Sequence, residues 1–338
     1  MTLQEMQEYM ESIGEKKFRA KQIYEWFHKH LALSLDEVNN VPKKLKEKIE
    51  QTQEIYGVKP VDCFISKIDG TRKYLFELYD GNIIESVLMK YKHGNSVCIS
   101  SQAGCRMGCK FCASTLGGLD RNLTPSEMLS QIYYIQRDTE ERVSNVVMMG
   151  TGEPMDNYDN VLRFLELITS EDGLNISQRN ITISTCGIVP KIKELAQKHL
   201  QITLAISLHS PNDEMRRGLM PIAMKYSIDE LLDACHYYFK ETNRRMTFEY
   251  SLVAGVNDQP VHAEELAGRL KGFPCHVNLI PVNPIKERDF KQSMPKSVME
   301  FKKILEKNRV NVTIRREMGA DINAACGQLR RKKLQSRL

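Results

Sequence analysis

The stretch ITISTCGIVPKIKELAQKHLQITLAISL, residues 181–208, contains two short runs of β-branched and apolar residues with an amphipathic segment between them. The runs at 181–184 and 202–208 have the length and composition of buried strands, whereas the apolar residues of 189–199 have helical spacing. Consecutive strands joined through a helix run parallel and have a right-handed crossover. The stretch therefore predicts a βαβ unit of an α/β fold.

The same alternation of strands and helices continues on both sides of this unit. It predicts strands at 146–149, 246–252, 276–280 and 312–314 and helices at 157–169, 227–241, 260–271 and 295–308. Crossover helices of this kind cover the faces of a parallel sheet. We therefore expect a barrel or an open α/β sheet.

The two segments before this core have periodicities of their own. From Leu3 to about Gln53, apolar residues recur at three- and four-residue steps, which predicts a small helical module. From Val58 to Tyr91 the period is two, with Asp-Gly turns between the runs, which predicts antiparallel strands. The expected segments are a helical accessory domain at 1–55, a β extension at 56–96, the core at 97–315 and a C-terminal segment at 316–338.

The composition indicates a globular chain. Of the 338 residues, 41% are apolar and 27% are charged, which excludes disordered and collagen-like chains. No run approaches the roughly 18 consecutive apolar residues of a spanning helix, and the acidic start lacks a signal-peptide pattern. We therefore expect a cytoplasmic protein without a membrane segment, whose nine cysteines serve metal binding or redox chemistry rather than a disulfide framework.

Positive charge is concentrated at the C-terminus. The net charge is +5, but residues 301–338 carry eleven Lys or Arg and only three acids, a local charge of +8. The most basic part of this segment consists of Arg330, Arg331, Lys332, Lys333 and Arg337. Such a cluster suits a phosphate backbone, because contact releases condensed counterions. A solvated terminus explains the same charges, so the pattern alone leaves both interpretations open.

Three cysteines lie close together on a loop after the first core strand. The loop SSQAGCRMGCKFCAST, residues 100–115, spaces Cys105, Cys109 and Cys112 as C-x3-C-x2-C. Thiolates are the ligands of iron–sulfur clusters, and a [4Fe–4S] cluster held by three of them keeps one iron open to a further ligand. Structural zinc needs four ligands, and the nearest fourth candidate, Cys98, belongs to a strand. The spacing therefore favours a cluster over zinc.

The cysteine loop resembles that of the radical S-adenosylmethionine (SAM) superfamily, with the aromatic Phe111 directly before the last cysteine. Further motifs narrow the resemblance to the RlmN/Cfr family of RNA methyltransferases: MGTGEP at 149–154, ISLHSP at 206–211, NLIPVNP at 278–284 and DINAACGQLR at 321–330. The resemblance extends from the helical start almost to the end of the chain. It implies a partial (βα)6 radical SAM barrel with an N-terminal helical domain and a small antiparallel β extension.

The resemblance also implies which residues bind the cofactors. Cys105, Cys109 and Cys112 match the ligands of one [4Fe–4S] cluster, whose open iron takes the amino and carboxylate groups of SAM. The remaining SAM contacts match Gly152, Glu153, Ser184, Ser207, Leu208, His209 and Asn283, at the ends of predicted strands. Taken singly, the glutamate suits a helix start, the serines suit turns and the histidine suits a structural role. Their order and spacing favour a barrel active site.

Two more cysteines and a glutamate have roles that only the resemblance supplies. Cys326 matches a methyl carrier, which takes a methyl group from one SAM and, after reductive cleavage of a second SAM, joins adenine C2 through a methylene group. Cys98 matches the resolving thiol, which forms a transient disulfide with Cys326. Glu85 matches the base that removes the C2 proton, although strand alternation alone predicts a half-exposed side chain. The other cysteines, expected to be buried, are Cys63, Cys186, Cys235 and Cys275.

The implied substrates are adenosine 2503 of 23S rRNA and adenosine 37 of tRNAs, methylated at C2. The implied enzyme is a monomer that uses two SAM per turnover and an external electron donor such as flavodoxin. One alternative is a Cfr-type enzyme that methylates adenine C8, from which MGTGEP, NLIPVNP and RREMGADI distinguish this chain. The other alternative is a zinc-stabilised RNA-binding protein without catalysis.

Overall fold

The structure is a computed structural model that describes residues 1–55, 57–92 and 94–329 and the backbone of 332–333. The helices are α1 (Leu3–Ser12), α2 (Phe18–His28), α3 (Lys43–Thr52), α4 (Pro125–Thr139), α5 (Tyr158–Thr169), α6 (Val189–Ala196), α7 (Asp213–Leu219), α8 (Ile228–Thr242), α9 (Pro260–Arg269) and α10 (Pro295–Lys307). The strands are β1 (Lys59–Ile65), β2 (Arg72–Glu77), β3 (Asn82–Tyr91), β4 (Gly94–Cys98), β5 (Gln102–Gly104), β6 (Leu119–Asn122), β7 (Val143–Met148), β8 (Ile181–Thr185), β9 (Thr203–Ser207), β10 (Met246–Leu252), β11 (Cys275–Pro281), β12 (Asn311–Ile314) and β13 (Lys332–Lys333).

The predicted N-terminal helical module is present as α1 to α3. α1 begins at a capping box, in which the Thr2 hydroxyl accepts from the Glu5 backbone and the Glu5 carboxylate accepts from the Thr2 backbone. The three helices enclose a small apolar core made of Met10, Ala20, Ile23, Leu35, Val38, Val41, Leu45 and Ile49. The module therefore has a hydrophobic core separate from that of the barrel.

One continuous sheet joins the β extension to the core. β1, β2, β3 and β4 are antiparallel neighbours, and β4 then pairs in parallel with β7. The parallel order continues through β8, β9, β10, β11 and β12. In the described residues β12 pairs only with β11, so the barrel is partial. The expected α/β barrel with an antiparallel extension is confirmed.

The positions of the core elements agree with the sequence pattern to within a few residues. The apolar strand residues fill the space under the crossover helices; for example, Ile183 and Leu204 share one core with Ile192 and Leu231. α4 lies outside the stretches marked as helical, although Thr124 and Glu127 form a capping box at its start. In the described chain no helix has the length and apolarity needed to cross a membrane.

The C-terminal segment, residues 316–329, covers one face of β3. Met318, Ala324 and Leu329 pack against Val87 and Met89 on that face. The opposite face of β3 packs into the barrel core, so the strand is buried on both sides. This cover is a tertiary contact that the period-two pattern of β3 does not contain.

The structure corrects two expectations about exposure, and a third concerns residues that it describes only in part. The prediction of a half-exposed Glu85 is wrong: the side chain is 2% exposed because the C-terminal segment covers it, and its Oε1 lies 3.8 Å from Lys73 Nζ. Cys63 was expected to be buried but is exposed, since β1 is an edge strand. Of the basic tail, Lys332 and Lys333 pair by backbone with β3, whereas Arg330, Arg331 and Arg337 lie outside the described residues.

Candidate active site

A cavity of about 140 Å³ opens where the parallel strands end. Its lining contains ten of the thirteen predicted site residues: Cys105, Cys109, Cys112, Gly152, Glu153, Ser184, Ser207, His209, Asn283 and Cys326. These residues come from separate motifs and from several different strand ends. The fold therefore brings the motifs together at the face where barrel active sites form.

A larger cavity of about 350 Å³ lies between the helical module and α4. Its lining is mainly apolar, with residues such as Met6, Phe27 and Leu129, and contains none of the predicted site residues. The smaller cavity instead contains ten of the predicted site residues, including the three loop cysteines and Cys326. We therefore treat the smaller cavity as the candidate site.

Backbone contacts fix the cysteine loop at its start and in its middle. It starts after β5, where the Cys105 N–H donates to the Gly118 carbonyl at 2.9 Å, and Lys110 N–H donates to the Leu219 carbonyl at the end of α7. Gly104 has φ +84°, and a Cβ there would lie 2.0 Å from the Gly118 oxygen. Glycine is therefore required for the strand to approach the returning chain this closely.

The three loop thiols are a donor set that fits a metal cluster. Burial raises the pKa of Cys105 to about 12 and that of Cys109 well above its ordinary value, where neighbouring Cys112 and Cys105 add to the rise and Arg216 opposes it. Burial also raises the pKa of Cys112. Without a cation these thiols stay protonated, whereas coordinated iron would deprotonate them.

The arrangement of these donors differs from a site for one ion. Among the described residues, no three His, Cys, Asp or Glu side chains are placed to bind a single metal ion. In a [4Fe–4S] cluster each thiolate binds a different iron, so the sulfurs need not converge on one point. Three thiols in one cavity wall therefore fit a cluster.

The GEP turn after β7 lies against β5. Gly152 has φ +113°, and a Cβ there would lie 2.8 Å from the Gln102 nitrogen, so this turn also requires glycine. The Glu153 carboxylate accepts from Met155 N at 3.0 Å and from Cys186 N at 2.7 Å. Burial raises its pKa, and these hydrogen bonds oppose the rise. Glu153 thus both begins a 3₁₀ turn, as the simpler interpretation predicts, and lines the cavity.

Polar groups at the ends of β8 and β9 form the opposite wall. The Ser184 and Ser207 hydroxyls are 3.4 Å apart. His209 has φ +57°, a conformation that is uncommon for residues other than glycine and asparagine and often occurs at functional sites. Its Nδ1 accepts from Ser251 N at 2.9 Å, and its ring is edge-on to Phe111 at 4.7 Å. Burial lowers the pKa of His209 to about 3, so the ring is neutral, with the proton assigned to Nε2.

Cys326 is held between two walls of the cavity. The Asn283 side-chain amide donates to the Cys326 carbonyl at 3.0 Å, and Ala113 N donates to the Gly327 carbonyl at 2.8 Å. A second cavity of about 60 Å³, lined also by Tyr91, adjoins Cys326. Cys326 is therefore reachable from two sides.

Three predicted residues do not line the cavity. Leu208 is buried behind its wall, where its N–H donates to the Glu249 carbonyl. Cys98 ends β4 opposite Val87 of β3, and its thiol is free, as are all nine thiols. Burial, with a smaller contribution from Cys326, raises the pKa of Cys98 to about 12, and Cys98 packs in one apolar cluster with Ala324 and Leu329 of the segment that carries Cys326. Glu85 lies two residues from Val87, on the face covered by the C-terminal segment.

The sequence interpretation missed two charged residues of the cavity wall. Glu249 is 3% exposed; its Oε1 accepts from Asn278 Nδ2 at 2.9 Å, and its Oε2 lies 3.6 Å from an Arg315 nitrogen. Arg315 also contacts the Met149 sulfur at 3.2 Å. A charged residue inside the apolar strand MTFEYSL was an available signal, because a buried charge needs a specific partner.

The chain is similar to known proteins along its whole length. Residues 99–267 match the family model for the radical SAM superfamily, and residues 1–55 match that for the ribosomal RNA large subunit methyltransferase N-terminal domain. A probable dual-specificity RNA methyltransferase RlmN from Lachnospira eligens is 64% identical over 97% of this chain and 94% of its own. A protein of the same name from Clostridium novyi is 59% identical, covering 98% and 96%.

A crystal structure has the same architecture. A radical SAM methyltransferase from Sphaerobacter thermophilus superposes with a TM-score of 0.94 at 42% identity, covering 97% of each chain. The match therefore includes the helical module and the C-terminal segment as well as the barrel.

Proposed function

Because the chain belongs to the RlmN family of radical SAM RNA methyltransferases, we propose that it methylates C2 of an adenosine in 23S rRNA and in tRNAs, adenosine 2503 and adenosine 37 respectively. The observation that carries the proposal is the position of Cys326. This thiol lies in the same cavity as the three loop cysteines, and Cys98 packs in one apolar cluster with Ala324 and Leu329, which precede and follow Cys326. The non-catalytic zinc alternative is wrong for a member of an enzyme family.

The cofactor site is proposed from the cavity lining. Cys105, Cys109 and Cys112 would each hold one iron of a [4Fe–4S] cluster, which supplies the electron for reductive cleavage of SAM. Gly152 permits close approach to the SAM amino acid, and Glu153 offers a carboxylate for its amino group. The other proposed SAM contacts are Ser184, Ser207, Leu208, His209 and Asn283.

Cys326 is proposed as the methyl carrier. Its thiolate attacks the methyl carbon of one SAM, the bond between that carbon and the sulfonium sulfur breaks, and S-adenosylhomocysteine leaves. Asn283 and Ala113 donate to the carbonyls of Cys326 and Gly327 and fix the backbone directly after the sulfur-bearing Cα, and Cys326 lines the cavity, so the methyl group would be held there. A second SAM supplies the radical that activates this group, so two SAM are consumed per methylation.

Cys98 and Glu85 are proposed to release the product. The methylene radical on the Cys326 sulfur adds to adenine C2. The radical adduct then loses its C2 proton to Glu85 and one electron to an acceptor such as the oxidised cluster, which leaves a thioether with a methylene group between adenine and the Cys326 sulfur. The Cys98 thiolate then attacks that sulfur, the S–C bond breaks, the carbon takes a proton to become methyl, and a transient disulfide remains. In support, Cys98 pairs with Val87, two residues along β3 from Glu85. Because the C-terminal segment covers Glu85, its contact with substrate requires that segment to shift.

Several coarser features complete the proposal. The chain is proposed to consist of four segments: the helical module, the β extension, the core and the C-terminal segment. The helical module and the C-terminal segment are proposed to contact RNA. In support, α3 carries Lys43 and Lys44 on its exposed surface. The electron comes from an external donor such as a flavodoxin, and the enzyme acts as a monomer in the cytoplasm.

Mass spectrometry of modified nucleosides tests this function. A bacterial strain that lacks its own adenine methyltransferase of this family should regain 2-methyladenosine in 23S rRNA and tRNA when it expresses this chain. A Cys326→Ala variant expressed to the same level should restore none, because the methyl carrier is lost. Appearance of 8-methyladenosine would instead show a Cfr-type enzyme, and absence of both products would contradict the proposal.

A further inference from the structure

Arg216 is the largest of the fully buried side chains, with no exposed surface. Its Nε donates to the Leu208 carbonyl at 3.2 Å, and its Nη2 donates to the carbonyls of Cys186 at 2.7 Å and Ser207 at 3.3 Å. The remaining nitrogen, Nη1, is buried without a hydrogen-bond partner in the described chain. All the hydrogen-bond partners of this cation are thus neutral carbonyls at the ends of β8 and β9.

The guanidinium lies directly behind the cysteine loop. Cys186, whose carbonyl it binds, packs with Cys109, Leu219 and Met220 in one small cluster. The backbone of Lys110, between two loop cysteines, donates to the Leu219 carbonyl, and Leu219 is the last residue of the helix that carries Arg216. Arg216 is therefore connected to the loop both through space and along α7.

A buried cation without a carboxylate partner is costly, because the protein interior solvates charge poorly. No carboxylate oxygen among the described residues lies within 4.0 Å of the Arg216 nitrogens. A [4Fe–4S] cluster with three thiolates would bring one negative charge when oxidised and two when reduced. An anion of this kind beside the loop would compensate the guanidinium.

We propose that Arg216 is a positioning residue that supplies the compensating positive charge behind the cluster site and thereby favours reduction of the cluster. Reduction adds a negative charge, so a nearby fixed cation stabilises the reduced form more than the oxidised form. The inference rests on the proposed function of the three loop cysteines. The competing explanation is a purely structural role, in which the hydrogen bonds of the Arg216 guanidinium only hold the ends of β8 and β9 together.

Two substitutions separate charge from hydrogen bonding. Arg216→Gln keeps hydrogen-bond donors and removes the charge, whereas Arg216→Lys keeps the charge and removes the planar fork. Arg244→Gln is the matched control, because Arg244 binds the Ile202 carbonyl and the Thr203 hydroxyl at the opposite end of β9. All three proteins and wild type are reconstituted anaerobically, and iron and sulfide are measured per chain.

The readout is the midpoint potential of the cluster, followed by electron paramagnetic resonance during a redox titration. In Arg216→Gln the ratio of reduced to oxidised cluster at a given potential should fall about tenfold, which is about 59 mV for a one-electron couple. Arg216→Lys and Arg244→Gln should stay close to wild type. If Arg216→Gln binds little iron, its potential is not measured and the iron content is compared instead. Arg216→Lys, which keeps the positive charge, should then bind as much iron as wild type.

Two results would overturn the inference alone: an unchanged potential in iron-loaded Arg216→Gln, or an equal loss of iron or potential in the Gln and Lys variants. Wild-type protein without iron would overturn the proposed function of the cysteine loop, and the inference with it.

Discussion

His209 shows how one residue combines strain with a defined protonation state. Its positive φ is held by Asn257, whose side-chain amide donates to the carbonyls of His209 and Ser251 at 2.8 and 2.7 Å. The Ser251 N–H then fixes Nδ1 as an acceptor, which leaves Nε2–H available to the cavity. The neighbouring network over-determines a conformation that costs about 1–3 kcal/mol.

The depressed pKa of His209 predicts a pH dependence of stability. The pKa of His209 is about 3 in the folded protein and 6.5 in the unfolded chain. Its contribution to the free energy of unfolding is therefore fully present above pH 6.5 and is lost progressively as the pH falls toward 3. Between pH 7 and 5 this residue alone should cost about 2 kcal/mol. Urea unfolding of wild type should therefore lose about that much more stability over this range than His209→Asn, whose side chain tolerates the positive φ. Equal losses in both proteins would contradict the assigned burial.

Motif order predicted ten residues that the fold brings to one cavity, because most of the motifs follow the end of a strand. Glu249 and Arg315 were not predicted, although Arg315 begins the RREMGADI motif, because they face the cavity only once β10 and β12 are side by side with β11. Glu85 was placed in the right strand but with the wrong exposure. The burial of each of these residues depends on chain segments distant in sequence.

At the scale of elements, periodicity predicted the strands and most crossover helices of the core. It could not predict that β1 is exposed along its length whereas β3 is buried on both faces, because exposure depends on the position of each strand in the sheet and on what packs against it. β1 is the edge strand, whereas β3 lies inside the sheet and the C-terminal segment packs on it through Met318 and Leu329. The sequence pattern also did not predict the short helix α7, because seven residues are too few to show a helical periodicity.

The C-terminal element leads to a prediction about RNA affinity. Replacing Arg330, Arg331, Lys332 and Lys333 together by Gln should weaken RNA binding and reduce its dependence on salt. Three or four lost phosphate contacts would each lower the slope of log affinity against log salt by roughly 0.7–0.9. Binding titrations at several salt concentrations measure this slope, and SAM cleavage without RNA should be unchanged.

The matched control is a lysine pair on another surface, Lys302 and Lys303 on α10, replaced in the same way. An unchanged slope in the quadruple variant would show that the tail is only solvated. It would move the search for phosphate contacts to the basic segments around Lys17 and Lys44 of the helical module.

At the scale of the whole molecule, the continuity of the sheet explains how the proposed chemistry is assembled. β4 is both the last antiparallel strand of the extension and the first parallel strand of the barrel, so Cys98 at its end lies at the junction. The C-terminal segment returns across the extension and is fixed to the cysteine loop by the Ser114 hydroxyl, which donates to the Leu329 carbonyl at 2.8 Å. Cys326 is thereby held between the loop and Cys98.

The most direct test of these proposed thiol roles is the covalent state of variants purified from cells. Cys98→Ala should carry covalently bound RNA at Cys326, because the carrier can react with adenine but the S–C bond cannot be broken by the missing thiol. The double variant Cys98→Ala/Cys326→Ala and the control Cys63→Ala, which removes an exposed thiol on β1, should carry none. Denaturing gels with and without nuclease, followed by mass spectrometry of the Cys326 peptide, measure the adduct. RNA-free Cys98→Ala protein, or an adduct that survives in the double variant, would contradict the account.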